Sequence, residues 1–275
     1  MKIMHRISFN THRHPALLSK FQEIDLKYTG IKLPGKGGNL ISFEIFESDP
    51  RWINVQKRLK RKSVVDRVET FFTNEEIIKS EWLRLVPTFE QGYPQPKNTW
   101  IDELPNYENI CRQCGTYNQK SSFILKDEPK LHNKQFMVLI WTYAIFCDNS
   151  VFDEFEAHSF YGYRVWEAIV QKTGLPSQKI HQLYIPQIAE PGLIDVGLRY
   201  QTCSTCGKRK YYPHVRGVMS INRDAIDPNL DFSLTNEWFG SGGMAYREIL
   251  VSNRVASLII EKKWQGVRFK VVTLT

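Results

Sequence analysis

Two stretches of the sequence share one pattern: Cys111-Arg112-Gln113-Cys114-Gly115 and Cys203-Ser204-Thr205-Cys206-Gly207. Two residues between cysteines allow one tight turn to present both sulfurs to the same metal ion. The glycine that follows can adopt the left-handed backbone conformation that closes such a turn. Four thiolates form a tetrahedral set that suits zinc and leaves no position for water or substrate, so we predict a structural zinc site. Its predicted ligands are Cys111, Cys114, Cys203 and Cys206.

Disulfide bonds and redox pairs are the alternatives to zinc. Disulfide frameworks are typical of short secreted chains, whereas this chain has 275 residues, and Met1–Ser19 lacks the apolar segment of a secretory signal. A redox C-x-x-C normally opens a helix, which the glycine after each second cysteine disfavours. Residues 115–202 separate the two pairs, compared with about 15–20 residues in many zinc ribbons. An inserted segment must therefore leave and return between the two turns.

The composition predicts a globular chain in the cytoplasm. Hydrophobic residues make up 42% of the chain, which is enough for a packed core. The longest apolar run, Phe136–Cys147, is interrupted by Thr142 and is too short to span a bilayer, so we expect no membrane association. Cys147 lies in this run, where we predict a buried side chain without chemistry.

The net charge of +8 raises the possibility of nucleic-acid binding. The densest basic cluster, Lys57–Lys62, lies in a helix predicted over Trp52–Phe72 from apolar residues at helical spacing. A basic, solvated helix face is common, and no recognised nucleic-acid motif accompanies the charge. We therefore favour the solvated face over a binding role.

Periodicity and turn residues predict an α+β fold. A capping box at Thr73–Glu76 predicts a helix that runs through Leu83. The predicted strands are Lys2–Phe9, Leu40–Phe46, Gln135–Phe146, Ile180–Ile185, Val215–Ser220, Ile249–Ser252 and Val267–Leu274. Further helices are predicted in the second half of Phe152–Lys172 and over Asn253–Lys263, where Ser252 is the natural N-cap.

We divide the chain into an N-terminal α+β region (1–91), a linker (92–106) and a zinc-binding α+β region (107–275). The linker is rich in proline, and Trp100 and Ile101 are its expected anchors. Within the last region, a split four-cysteine, zinc-ribbon-like site is expected to join two halves. Arg164–Lys172 and Arg254–Lys262 are similar segments at nearly the same spacing as the cysteine pairs, so an internal repeat is one interpretation. A chance likeness of amphipathic helices is the other.

Several motifs together resemble the double-CxxCG proteins, a bacterial group that includes immunity proteins of polymorphic toxin systems. They are the two C-x-x-C-G motifs, Asp231-Phe232, the segment Ile249–Val255 and the segment Trp264–Phe269. The resemblance covers roughly residues 111–275. It implies a cytoplasmic protein that binds and blocks a cognate toxin, with zinc as a structural clip. The positive charge favours an acidic or membrane-directed toxin.

No catalytic residue is predicted. The seven histidines form no H-x-x-x-H pair, and no G-x-S-x-G or H-E-x-x-H occurs. Asp153, Glu154 and Glu156 lie beside aromatic residues, but a solvated acidic segment is the favoured interpretation. His214 follows the second cysteine pair, and four cysteines leave it no coordination role.

Three functions stay open at this stage. An immunity-type binding protein, favoured here, would use aromatic anchors; the candidates are Tyr161, Tyr163, Trp166 and Trp238. A nucleic-acid-binding zinc-ribbon protein would use Lys57–Lys62 and the basic-aromatic segment Lys208–Tyr212. An enzyme of unknown type would need a concave pocket with perturbed titratable groups. We expect a non-enzymatic protein with no small-molecule substrate.

Overall fold

A computed structural model describes residues 1–35, 37–60, 62–97, 99 and 103–275. The chain forms two compact units, one of residues 1–73 with 215–217 and the other of residues 74–214 with 218–275. The units divide after Thr73, whereas the sequence analysis placed the change within 92–106. The expected linker anchors Trp100 and Ile101 lie outside the described residues, as does Arg61 of the basic cluster.

The first unit is one antiparallel sheet with two short helices. Its elements are β1 (Lys2–Asn10), α1 (Pro15–Gln22), β2 (Thr29–Lys32), β3 (Asn39–Phe46), α2 (Trp52–Leu59) and β4 (Val65–Phe71). The strand order is β2-β3-β1-β4. Alternate residues of β1 and β3, among them Ile7 and Phe43, are buried against Phe21 of α1 and Val55 of α2. This alternation is the two-residue period that the sequence showed.

The helix predicted over Trp52–Phe72 is wrong in its second half. The helix ends at Leu59, and Val65–Phe71 forms β4, which pairs antiparallel with β1 from Lys2↔Phe71 to Ser8↔Val65. β-Branched and aromatic side chains suit a pleated strand, and the backbone of β1 supplies the hydrogen bonds. The described part of the basic cluster lies at the end of α2, where Arg58 forms an ion pair with Glu23 (3.2 Å).

The second unit is mixed and rich in sheet, with three α-helices and one 3₁₀ helix (Arg223–Ala225) among the described residues. Its α-helices are α3 (Asn74–Ile78), α4 (Asn149–Ala157) and α5 (Asn253–Glu261). Its early strands are β5 (Trp82–Pro87), β6 (Tyr107–Glu108), β7 (Asn118–Gln119), β8 (Ile124–Leu125), β9 (Phe136–Val138), β10 (Ile145–Asp148), β11 (Arg164–Val170) and β12 (Leu175–Tyr184). Its later strands are β13 (Tyr200–Thr202), β14 (Arg209–Tyr211), β15 (Met219–Ile221), β16 (Phe232–Leu234), β17 (Trp238–Phe239), β18 (Ile249–Ser252) and β19 (Val267–Leu274).

These strands form four sheets. Two are five-stranded, with orders β15-β19-β5-β18-β16 and β8-β11-β12-β10-β9. A three-stranded sheet has the order β13-β14-β17, and β6 pairs with β7 alone. Neighbouring strands are antiparallel except β8 with β11, β14 with β17 and β15 with β19. The mixed α and β content agrees with the predicted class.

The C-terminal tail matches its prediction closely. Strand β18, helix α5 and strand β19 occupy the predicted segments. Val255, Ala256, Leu258 and Ile259 form the buried face of α5, at the spacing of an amphipathic helix. Ser252 is the N-cap residue, but its hydroxyl donates to the Asp231 carboxylate (2.6 Å) instead of capping the helix.

The central strand β5 was predicted as the end of a helix. Helix α3 begins after Thr73, as the capping box indicated, but it ends at Ile78. Asn253 donates its side-chain amide to the carbonyls of Ile78 (2.9 Å) and Ser80 (2.7 Å), just past the last turn of α3. Trp82–Pro87 then becomes a strand between β18 and β19. In a short apolar segment that is buried on both faces, the hydrophobic periodicity cannot distinguish a strand from a helix.

The second helix error concerns one of the two segments on which the internal-repeat interpretation was based. Arg164–Val170 is strand β11, which forms a hairpin with β12, while Arg254–Lys262 lies largely in helix α5. The helix of that region, α4, comes earlier in the chain. The segments Arg164–Lys172 and Arg254–Lys262 have similar residues but therefore adopt different structures. The apolar stretch Gln135–Phe146 also differs from its prediction, because it contains β9 and the start of β10 separated by a turn.

Membrane-spanning helices need about 20 residues. The α-helices within the described ranges have nine residues or fewer, so none of them could pass through a bilayer.

A buried network of charged and polar groups surrounds Arg84 of strand β5. Arg84 of β5 donates to the Glu248 carboxylate, to the His214 carbonyl (3.1 Å) and towards the His214 ring (3.3 Å). All three side chains are buried. Burial, aided by the Arg84 charge, lowers the pKa of His214 from 6.5 to about 4. His214 is therefore neutral in the folded protein at physiological pH, and its role is in this network.

We predict that this histidine makes stability depend on pH. Below pH 6.5 the unfolded chain binds a proton at His214 that the folded protein binds only near pH 4. Stability should therefore fall as the pH drops through this window, by up to about 3 kcal/mol from this group. Urea unfolding of wild type and His214→Gln at neutral pH and about pH 5 would measure it. Identical pH dependence in both proteins would contradict the assignment.

Candidate metal centre

Both cysteine pairs lie at the tips of β-hairpins. Cys111 and Cys114 are in the loop that joins β6 to β7, and Cys203 and Cys206 are in the loop that joins β13 to β14. Short antiparallel pairs hold the ends of each loop together, so each tip presents its two cysteines on one turn. The sequence contained the two turns, and the tertiary structure brings them together.

The two turns have the same backbone hydrogen bonds. In the first, the Gly115 amide donates to the Cys111 carbonyl (2.7 Å) and the Cys111 amide donates to Thr116 (2.9 Å). In the second, Gly207 donates to Cys203 (2.9 Å) and Cys203 donates to Lys208 (3.0 Å). Both glycines have positive φ, +78° and +71°. The inference from the glycine positions to closed turns is therefore confirmed.

The four sulfur atoms lie within 4.8 Å of one another. Cys111 Sγ is 3.7 Å from Cys203 Sγ, and Cys114 Sγ is 3.6 Å from Cys206 Sγ. A tetrahedral zinc ion with bonds of about 2.3 Å requires sulfurs about 3.8 Å apart, whereas a disulfide requires about 2.05 Å. All four cysteines are free, so the geometry fits a single tetrahedral ion and does not fit two disulfides.

Neighbouring groups stabilise the thiolate form of Cys203, whereas burial and the other three thiols raise the pKa of the Cys206 thiol to about 11. The Thr116 hydroxyl, fully buried, lies 3.3 Å from Cys114 Sγ. The Cys206 backbone amide, with help from the Thr205 amide, lowers the pKa of the Cys203 thiol to about 6. Hydrogen bonds to a ligating sulfur stabilise its thiolate form, which is the form that binds metal.

Gln113 and Lys210 connect the cluster to its surroundings. The Gln113 amide reaches the opposite turn, where it contacts Ser204 (3.0 and 3.1 Å) and accepts from the Thr205 hydroxyl. The buried Lys210 ammonium donates to the carbonyls of Cys114 (2.6 Å), Gly242 (2.5 Å) and Met244 (3.0 Å). Its charge offsets part of the negative charge that four thiolates would carry. Sequence analysis did not single out these contacts, because the partners are far apart in the chain.

The other candidate residues are not part of this centre. Cys147 is fully buried in β10, and burial raises the pKa of its thiol. On α4, Glu154 forms an ion pair with Lys262 (2.5 Å), which is a structural role for part of the acidic segment. Within residues 1–35, 37–60, 62–97, 99 and 103–275, the four cysteines are the one group of three or more possible metal-ligating side chains.

The proposed aromatic anchors differ in exposure. Tyr161 is 61% exposed, and Trp166 is half-buried with its ring stacked on Tyr184 at 3.6 Å. Tyr163 packs on Phe232 inside the unit. Trp238 is only 7% exposed, so its prediction as an exposed anchor is wrong.

No model of a known protein family matches this chain, and no curated protein matches it either.

We predict that the cysteines differ sharply in their effect on metal content. Cys203→Ser should abolish zinc binding and unfold the second unit. A structural zinc site contributes an apparent binding free energy of about 10–16 kcal/mol, and this stabilises the fold. Cys147→Ser should keep the zinc and cost about 1–3 kcal/mol for a buried hydroxyl. Zinc content by elemental analysis and thermal unfolding would distinguish them. Equal zinc loss in both variants would contradict the ligand assignment.

The two turn glycines make a second, matched test. A Cβ atom at Gly115 would lie 2.0 Å from the Gly243 carbonyl oxygen, whereas one at Gly207 meets nothing within 4 Å. Gly207→Ala should therefore cost only the left-handed backbone penalty, about 1–2 kcal/mol. Gly115→Ala must also displace the backbone at Gly243 and should be clearly less stable. The unfolding midpoints of the two variants, compared at equal zinc content, would measure the difference in stability. Equal midpoints would exclude the close packing at Gly115.

Proposed function

We propose that this chain is a zinc-stabilised binding protein of the immunity type, which binds and neutralises a cognate bacterial toxin in the cytoplasm. The cysteine cluster carries the structural part of the proposal. Two hairpin tips that supply four sulfurs are the arrangement expected of a zinc-ribbon-like site, and this supports the proposal. Four thiolates complete the shell of a zinc ion, so zinc would act as a clamp for the fold and not as a catalyst. The resemblance to double-CxxCG proteins supports the immunity role.

The contact surface that we propose lies on β11 and the segment before it. Tyr161 is exposed, and the stack of Trp166 on Tyr184 holds a large aromatic ring in one orientation. Val165 and Leu175 of the β11–β12 hairpin are also exposed, at 44% and 62%. Rigid aromatic residues are typical anchors of protein interfaces, because little side-chain entropy is lost on binding.

Nucleic-acid binding is the second candidate, and the β13–β14 hairpin is the observation that favours it. Arg209 lies 4.3 Å over the Tyr200 ring, and Arg199 lies 4.8 Å over the Tyr212 ring. Exposed arginines beside aromatic rings can contact phosphates and stack on bases. Arg209 also forms an ion pair with Asp195 (3.2 Å), which satisfies part of its charge. We therefore rank this candidate below protein binding.

The toxin proposal predicts one protein partner whose toxicity this chain suppresses. Tagged protein should capture the partner from native cells, and the sample should contain one zinc ion per chain. Replacing Tyr161 and Trp166 by Ala should weaken capture by more than about 2 kcal/mol. Tyr28→Ala removes an exposed tyrosine of the other unit and serves as the matched control. Expression of the captured partner alone should kill cells, and co-expression of this chain should rescue them.

A harmless partner, or capture that is unchanged by the double variant, would contradict the toxin proposal or its surface. Nucleic acid without protein in the captured sample would favour the second candidate. In that case random oligonucleotides should bind with strong salt dependence, and a variant with Arg199→Met and Arg209→Met should bind less. Failure to bind at low salt would remove the second candidate.

A further inference from the structure

A cavity of about 200 Å³ lies within the second unit, away from the cysteine sulfurs. It is far larger than the roughly 10–15 Å³ that holds one water molecule, and smaller than the roughly 300–1,000 Å³ of pockets for drug-sized ligands. Most of its wall consists of aromatic and aliphatic side chains. The residues that decide its chemistry are Tyr117, Gln119, Tyr143, Gln182, Trp238 and Arg247.

Arg247 is a cation without a carboxylate partner at this cavity. Its Cζ lies 4.5 Å over the Trp238 ring, and one of its terminal nitrogens donates to the carbonyls of Thr235 (2.7 Å) and Asn236. These contacts fix the guanidinium in place. Across the described residues, none of the ion pairs includes Arg247. Burial lowers the pKa of Arg247, as expected for a charge that has lost water.

The neighbouring acid Glu237 is engaged elsewhere, and several arginines of this unit, unlike Arg247, pair with carboxylates. Glu237, which attracts Arg247 through space, accepts hydrogen bonds from the amides of Gly192 and Leu193 (3.0 Å each). Arg84, Arg223 and Arg254 all form ion pairs with carboxylates. A partly buried guanidinium without such a partner is costly unless an anion compensates its charge.

Two other polar side chains of the cavity are already paired with each other. The side-chain amides of Gln119 and Gln182 donate to each other (3.1 Å in both directions). The Gln182 oxygen also accepts from the Phe123 backbone amide (3.2 Å). The Tyr143 ring is held by stacking on Tyr246 at 3.5 Å. Among the described residues that line this cavity, Arg247 is thus the one cationic side chain, and it lies beside rigid aromatic walls.

We propose that this cavity binds a small organic acid with one aromatic ring. The ligand's carboxylate pairs with the Arg247 guanidinium, whose planar fork matches two carboxylate oxygens. The ring packs against the aromatic wall formed by Tyr117, Tyr143 and Trp238, where edge-to-face and offset contacts are favourable. This proposal does not rest on toxin binding, so neither result decides the other.

Calorimetric titration of the zinc-loaded full chain with benzoate and benzamide tests the charge directly. The two probes have nearly the same shape, but only benzoate is an anion. Saturable benzoate binding that is about 10- to 100-fold tighter than benzamide binding is expected from a charge-assisted pair. No saturable benzoate binding at millimolar concentration, or equal binding of both probes, would overturn the proposal. This comparison needs no variant.

Two variants then place the site. Arg247→Met should reduce benzoate affinity to that of benzamide in wild type. Arg209→Met is the matched control, because Arg209 also lies over an aromatic ring but has a carboxylate partner and does not line this cavity. Retained benzoate binding in Arg247→Met, or equal losses in both variants, would refute the assignment. If Arg247→Met fails to fold, Arg247→Lys keeps the charge, and it should show intermediate affinity because it loses the fork.

Discussion

The convergence of four sulfur atoms at two hairpin tips is the constraint on which the second unit depends. The paired sulfurs belong to cysteines 92 positions apart. Closing a loop of that length costs about 4 kcal/mol by the logarithmic loop term. The apparent binding free energy of a structural zinc ion is about 10–16 kcal/mol, which exceeds that cost. The ion that we propose would therefore decide whether the inserted segment, with its five-stranded sheet, folds back to the first turn.

Strand β14 connects the cysteine cluster to the rest of the second unit. Lys210 lies on β14 and holds the carbonyls of Cys114, Gly242 and Met244. Strand β14 also pairs with β17, whose Trp238 carries the stacked Arg247. The metal centre and the cavity thus share one small sheet. A metal ion held by the four cysteines would be a physical means of keeping this sheet, and with it the cavity wall, rigid.

The errors in predicting the fold have one cause. Val65–Phe71 and Arg164–Val170 both contain apolar residues that fit a helix and a strand equally well. Each becomes a strand because a neighbouring backbone pairs with it, β1 in one case and β12 in the other. Trp82–Pro87 follows the same rule between β18 and β19. Short apolar segments take the structure that their partners allow, and those partners lie elsewhere in the sequence.

The sequence by itself determined the features whose chemistry lies between neighbouring residues. These are the two cysteine turns with their glycines, the amphipathic helix α5 and the alternating strands β1 and β3. Only the tertiary structure decided what distant residues do together. The pairing of His214 with Arg84, the contacts of Lys210 and the cavity between Tyr117 and Arg247 join residues with no common motif. Local patterns record local geometry, whereas burial and charge pairing depend on which surfaces meet when the chain folds.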